Sequence, residues 1–314
     1  PNGGIARVIE LQQQMNGVLD DIYWKESNMD GGEQSTVRTS LPAVNYRAVA
    51  EPSATGKSTT MQINDQTGIL TGWVEIPQET AERGGNLAET RLSEAGPTVE
   101  AMVQKFVGKL KYGNQATAPR EFTGFFPRLS SSSASNGRNV VKGAGAGSVN
   151  TSILFVGWSE RTVCCIFPKG TKAGIDHHDF GLNVLQDTTV PGGSRLAVYQ
   201  ERWEWKHGLA VKDWRFAARA CDIDVTALVT KTSAEDLPDM FIRLWHRFPH
   251  HNAIREGYYV SRTLFEMLDI QLRDDVSSGG QLKYEEVFGK LVPTFRGIPI
   301  RIDDQQLENE GVVS

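Results

Sequence analysis

Residues 86–114 read NLAETRLSEAGPTVEAMVQKFVGKLKYGN, and the architecture turns on them. Leu87, Leu92, Val99, Met102, Val103, Phe106 and Leu110 recur at helical spacing. Asn86 supplies an N-cap with Glu89 three residues on, and Gly113-Asn114 supplies a stop. The pattern predicts a helix over 86–111, about 38 Å long at 1.5 Å per residue. Pro97 removes one backbone donor and predicts a kink.

Upstream, residues 35–80 are rich in Thr, Ser, Val and Ile, and Met61 and Ile63 alternate with polar neighbours. Asn64-Asp65-Gln66-Thr67-Gly68 reads as a turn, with Ile69, Leu70, Trp73, Val74 and Ile76 on a return strand. The result is a long β-hairpin with little of its own to pack, since Gly56, Gly68 and Gly72 lie along it; its cover must come from elsewhere. Ahead of it, Val8, Leu11, Met15, Val18 and Ile22 predict an amphipathic helix over 5–24, an arm that needs another surface.

Downstream, Ser130–Ser133 and Gly143–Gly147 mark a flexible loop over 129–150, followed by strands at 152–158 and 162–168. Trp203 and Trp205 alternate with Arg202, Glu204 and Lys206 in a second long hairpin, 196–223, turning at His207-Gly208. Helices are expected at 233–248, 260–272 and 283–290, then a strand at 295–302. There is no internal repeat.

The composition narrows the function. With 314 residues, 33 Lys plus Arg against 38 Asp plus Glu leave a net charge of −5, without the basic excess of a DNA reader. Apolar residues at 39% and charged residues at 23% suit a globular chain and exclude collagen, rods and wholesale disorder. No apolar run approaches the roughly 20 residues of a membrane span. Cys164 and Cys165 point to opposite faces of one strand and Cys221 stands on another, so buried free thiols are expected, consistent with a reducing cytoplasm.

Chemical motifs are weak. Thr55-Gly56-Lys57-Ser58-Thr59 resembles half of a phosphate-binding loop, but Glu51 stands where the first glycine belongs. The glycines around Gly143 and Gly145 precede a strand, whereas a dinucleotide fingerprint opens a helix. His177, His178 and Asp179, and His246, His250 and His251, are poorly spaced for a metal, with Arg247 and Phe248 where a zinc-hydrolase motif places Glu. No catalytic, cofactor-binding or metal-ligating residue is assigned. An enzyme using nucleotide at Lys57 or metal at the histidines is the alternative reading.

An ordered series of strings carries a resemblance over about residues 36–302. These are Thr39-Ser40-Leu41-Pro42, Gly56-Lys57-Ser58-Thr59-Thr60, Ala88 to Ala95 as Ala-Glu-Thr-Arg-Leu-Ser-Glu-Ala, and Tyr112-Gly113-Asn114. Asn150-Thr151-Ser152-Ile153, Ile166 to Gly170, Lys172-Ala173-Gly174, Leu209 to Arg215 and Asp222 to Val225 continue it. Together they resemble the major capsid proteins of short-tailed double-stranded DNA phages. The resemblance implies an α+β, Hong Kong 97-like capsid fold: N-terminal arm 1–37, E-loop 38–80, peripheral domain 81–224 with spine helix 86–111 and hairpin 196–223, and axial domain 225–314. The order of these elements reads as permuted. It also implies self-assembly into hexamers and pentamers of an icosahedral virion shell, built in the host bacterial cytoplasm and enclosing duplex DNA without sequence-specific binding. Its implied partners are copies of itself, a portal, a separate scaffolding protein and a cementing or decoration protein, with no membrane and no cofactor. A cross-link through Lys57 of the E-loop would need groups from neighbouring subunits.

Overall fold

The computed structural model describes residues 18–313 apart from 54, 84–86, 187–192, 233–234, 252–253, 275–282 and 288–289. Most of the predicted arm helix and the Asn86 cap lie outside these. Within them the arm ends as one helical turn, α1 (Val18–Asp21), and a short strand, β1 (Trp24–Glu26).

The remaining strands are β2 (Gly32–Ser40), β3 (Thr59–Pro77), β4 (Val140–Lys142), β5 (Asn150–Trp158), β6 (Val163–Phe167), β7 (Ile175–Gln186), β8 (Arg195–Val211), β9 (Ala217–Asp224), β10 (Arg255–Val260), β11 (Lys283–Val287), β12 (Lys290–Phe295) and β13 (Ile298–Ile302). The helices are α2 (Gln78–Arg83), α3 (Leu87–Tyr112), α4 (Phe125–Arg128), α5 (Val225–Thr230), α6 (Leu237–Trp245) and α7 (Arg262–Asp274). The strands form one connected network ordered β11-β12-β13-β10-β5-β6-β8-β3-β2, with β1 on β6, β7 on β8, and β9 between β4 and β5. β5 is buried at every position, as its run of Ile153, Leu154, Phe155 and Val156 requires of a central strand.

The predicted spine helix is present as α3 and runs through Pro97; the Gly113 N–H closes it on the Lys109 carbonyl at 2.8 Å. Val99, Met102, Val103, Phe106, Val107 and Leu110 bury its apolar stripe on the inner face of β3 and β8. Gly72 permits that approach: a Cβ there would stand 2.7 Å from Thr98 Cγ2.

Both predicted hairpins are redrawn. Residues 64–68 do not turn; β3 runs straight through them, pairing with β2 from Thr59 to Gln66 and with β8 from Thr67 to Pro77. Asp65 explains the failure. It is buried, accepting from Arg128 Nη2 at 2.6 Å and from the Val211 N–H at 3.1 Å, so a turn-forming residue is held in a strand by tertiary partners. The hairpin's loop is residues 41–58, and its C-terminal half is covered within its own subunit.

His207-Gly208 is likewise strand interior. His207 packs among Phe106, Phe122 and Trp205. A Cβ at Gly208 would lie 2.7 Å from the Gln66 carbonyl, so this glycine serves close strand approach rather than a turn. The partners of β8 are β3, β6 and β7, whereas β9 leaves to join β5 and β4.

Three further expectations are corrected. The stretch 129–150 is not a loose linker. Val140 and Val141 are buried in β4, and the Gly143 and Gly145 N–H groups each donate at 2.8 Å, to the Cys221 and Asp222 carbonyls. The predicted helix 283–290 is replaced by β11 and the start of β12, whose backbones find each other as ladder partners. The single strand expected at 295–302 is a hairpin turning at Arg296-Gly297, both at positive φ, as a two-residue turn between twisted strands demands. Helix α6 falls within the predicted 233–248, and α7 matches the predicted 260–272 but runs two residues further; Asp236 caps α6 by accepting from the Asp239 N–H.

Candidate assembly surface

Among the described residues, the most exposed large apolar side chains lie in the loop 41–58. Leu41, Val44, Tyr46 and Val49 are 78%, 88%, 108% and 101% exposed, a local pattern that burial in water alone never selects. The loop is nonetheless shaped. Arg47 donates to the Glu51 carbonyl at 2.8 Å, the Glu51 carboxylate accepts from the Ala48 N–H at 3.0 Å, and Gly56 packs against Ala43. At its base Thr39, Ser40 and Thr59 join through their hydroxyls at 2.7–2.8 Å. The projecting part of β2 and β3 is thus held by polar ladders, with no core beneath it.

A second exposed cluster sits on the sheet face turned away from α3. Trp73 of β3 stacks on Phe180 of β7 at 5.6 Å, and the Arg202 guanidinium lies 5.9 and 5.8 Å from the two ring centres. A bulge places Phe180 there: Gly181 adopts φ +70 and its N–H donates to Asp179 Oδ1 at 2.8 Å. All three side chains of this cation–aromatic group border solvent.

On the opposite face the sheet is tied to the helix. Arg91 of α3 reaches Glu201 at 2.5 Å and Asp179 at 2.6 Å; His177 Nε2 meets Glu201 at 2.9 Å and its ring stacks on Trp203 at 4.2 Å. His177 and His178 therefore face opposite sides of β7, as neighbours on a strand must.

The other histidines are also engaged in packing. His251 bonds Glu256 at 2.8 Å and stacks on Trp245, His246 meets Trp245 edge-on, and His250 meets Phe216. Among the described residues no three His, Cys, Asp or Glu side chains converge on a metal position. Lys57 is exposed in the loop, ahead of a strand rather than a helix.

Cys164 and Cys165 are buried on opposite sides of β6, Cys164 with Ile166 and Ala210 and Cys165 in the main core. Burial pushes the Cys164 thiol up to about 11 and Cys221 up to about 12, and raises Cys165 well above its ordinary value.

The residues after β13 form a clasp that sequence reading misses. Glu310 is buried; Oε2 accepts from Arg219 at 2.8 Å and from the Ser152 hydroxyl, and Oε1 from Gln306 at 2.6 Å and from the Tyr112 hydroxyl. Arg219 also lies 4.0 Å over the Phe126 ring. Asp303 pairs with fully buried Lys111 at 2.5 Å; burial drives the Lys111 amine below its ordinary range, against the pull of Asp303. The Val313 N–H donates to Asp222 at 2.9 Å. Charged residues spread from 111 to 310 give no local motif, so only their convergence reveals them.

The whole chain, residues 1–314, matches the family model described as major capsid protein GP7. Among solved structures, the chain is similar to a chain of the bacteriophage Epsilon15 structure, with a TM-score of 0.73 and 26% identity, covering 94% of this chain and 88% of that one. The bacteriophage JBD30 capsid superposes with a TM-score of 0.49 and 12% identity, over 91% and 89%. A search of curated proteins returned no match.

Proposed function

This chain belongs to the GP7 family of major capsid proteins, and on that premise we propose how its parts divide the work of assembly. It is a structural subunit of a phage capsid shell with a Hong Kong 97-like α+β fold, and its place is the virion capsid. Family membership favours this role over catalysis at Lys57 or at the histidines. In the proposed division, residues 1–37 act as the arm, 38–80 as the E-loop, 81–224 as the peripheral domain and 225–314 as the axial domain. Self-pairing of 67–77 with β8 supports counting that half of the E-loop as part of the body. The projecting segment is then 34–64, since Glu33 and Asp65 at its two ends are buried against the body.

The observation that carries the proposal is the loop around Leu41–Val49, whose apolar side chains have no cover among the described residues of their own subunit. A shell built from one chain offers a recurring solution: the loop of each copy is buried on its neighbour, in hexamers and pentamers. The exposed Trp73–Arg202–Phe180 face belongs to the same set of inter-subunit surfaces. A portal, a separate scaffolding protein and a decoration protein, with assembly in the host cytoplasm around duplex DNA, complete the proposed setting.

The test is substitution of Leu41, Val44, Tyr46 and Val49 together by Ser. Each side chain contributes about 1.5–3 kcal/mol if fully buried between copies and almost nothing to the isolated fold. Circular dichroism and melting should match wild type, while sedimentation and electron microscopy should show shells replaced by small species. Normal shells from this variant would remove the loop from the assembly surface.

A further inference from the structure

The end of the long helix and the segment after β13 meet at one buried contact. Lys111, in the last turn of α3, and Asp303, just past the end of β13, have side chains 1% and 0% exposed, and Lys111 Nζ stands 2.5 Å from Asp303 Oδ2. Both residues are fixed from behind: the Asp303 N–H donates to the Val260 carbonyl at 2.9 Å, and the last turn of α3 is closed by the Gly113 N–H on the Lys109 carbonyl at 2.8 Å. Cγ, the carbon that carries Oδ2, therefore lies no further than about 3.7 Å from Nζ, near the roughly 3–3.5 Å of an attack geometry.

As an ion pair this contact is poorly satisfied. An ammonium carries three donors, yet despite the 2.5 Å approach neither Nζ nor Oδ2 has a hydrogen bond of acceptable angle, to the other or to any other described group. Two charges held dry without such bonds are costly. Burial pushes the Lys111 amine below its ordinary range, with Asp303 and then Glu310 opposing, which favours the neutral, nucleophilic amine. The two carboxyl oxygens of Asp303 differ in a way that an ion pair does not need. Oδ1 accepts from the Gln305 N–H at 2.8 Å and is held as a carbonyl oxygen would be, whereas Oδ2, the one facing the amine, is left without a donor.

We propose that Lys111 and Asp303 join in an isopeptide bond within the subunit, formed by the folded chain itself. The ammonium passes one proton to Oδ2, leaving a neutral amine against a carboxylic acid. Nζ then attacks Cγ, and the negative charge that develops on Oδ1 is met by the Gln305 N–H. A second proton moves from Nζ to Oδ2, the Cγ–Oδ2 bond breaks and one water leaves. Ammonium plus carboxylate thus become one amide and one water, with no oxidant, metal or further reactant. The product carries no charge, has one N–H in place of three, and keeps the Gln305 hydrogen bond on its carbonyl. It closes covalently the same junction of helix and C-terminal segment that Arg219 and Glu310 hold by charge.

Intact-mass spectrometry of the full chain, purified folded and then denatured, reads the bond directly. The wild type should weigh one water less than its sequence, and Lys111→Arg and Asp303→Ala should each carry their full sequence mass. Tryptic fragments of the wild type place the loss without relying on any variant to fold: cleavage after Lys111 should fail, and one fragment should contain both Lys111 and Asp303. Chain refolded from urea should lose its water at a rate independent of protein concentration, as a reaction within one subunit requires. A folded wild type at its full sequence mass with normal cleavage after Lys111, a water loss mapped to any other residue, or a rate that rises with concentration overturns the proposal.

Discussion

Replacing Glu310 by Ala asks whether the C-terminal clasp holds the subunit together. Glu310 is 7% exposed and its carboxylate takes hydrogen bonds from four side chains, among them Arg219 at 2.8 Å. Truncation leaves Arg219 with the Ser152 hydroxyl at 3.0 Å, the Leu129 carbonyl at 3.3 Å and the Phe126 ring, none of which balances a buried charge. Breaking a buried pair by removing one partner costs about 3–5 kcal/mol. Against a total stability of about 5–15 kcal/mol that is a large share. Urea unfolding of the unassembled subunit, followed by fluorescence of its seven tryptophans, should show a loss of about 4 kcal/mol. The Arg219→Met/Glu310→Leu double variant removes both charges and should recover most of it. A Glu310→Ala loss within about 0.5 kcal/mol, or a double variant as damaged as the single one, would refute the clasp.

Acid should weaken the fold through His207. Its pKa is about 4 in the fold against 6.5 when unfolded, so the unfolded chain takes up the proton first. The contribution, on the order of 3 kcal/mol, is complete above pH about 6.5 and lost as pH falls through about 4. Urea midpoints across that window should decline for wild type and flatten for His207→Phe. Gly143→Ala would set a Cβ 2.5 Å from the Asp222 carbonyl and should cost about 1–3 kcal/mol, whereas Gly147→Ala, with nothing within 4 Å, should be neutral in the same melt. The three cysteines are buried with raised thiol pKa values, so iodoacetamide should leave the native subunit unmodified and excess reductant should leave shells intact. Dissociation in reductant would place a disulfide between subunits.

Local periodicity alone determined the spine helix, because seven apolar residues at helical spacing and a Gly113 stop act within one segment. It also determined β5 and β6, whose apolar runs admit little else, and the opposite facing of Cys164 and Cys165. The ordered strings from Thr39 to Val225 carried the family. Where the chain turns was decided in three dimensions. Asn64–Gly68 and His207-Gly208 have turn chemistry, yet Arg128 and Val211 hold Asp65, and Phe106 and Phe122 hold His207, in straight strands. β7 escaped notice because its residues alternate weakly. The glycines near Gly143 read as flexible until the Asp222 carbonyl is placed against them. The exposed loop and the clasp lie at the two extremes of the same limit. Neither burial between copies nor a contact between residues 112, 152, 219 and 310 leaves a short-range mark on a sequence; both depend on which distant segments the folded chain brings together.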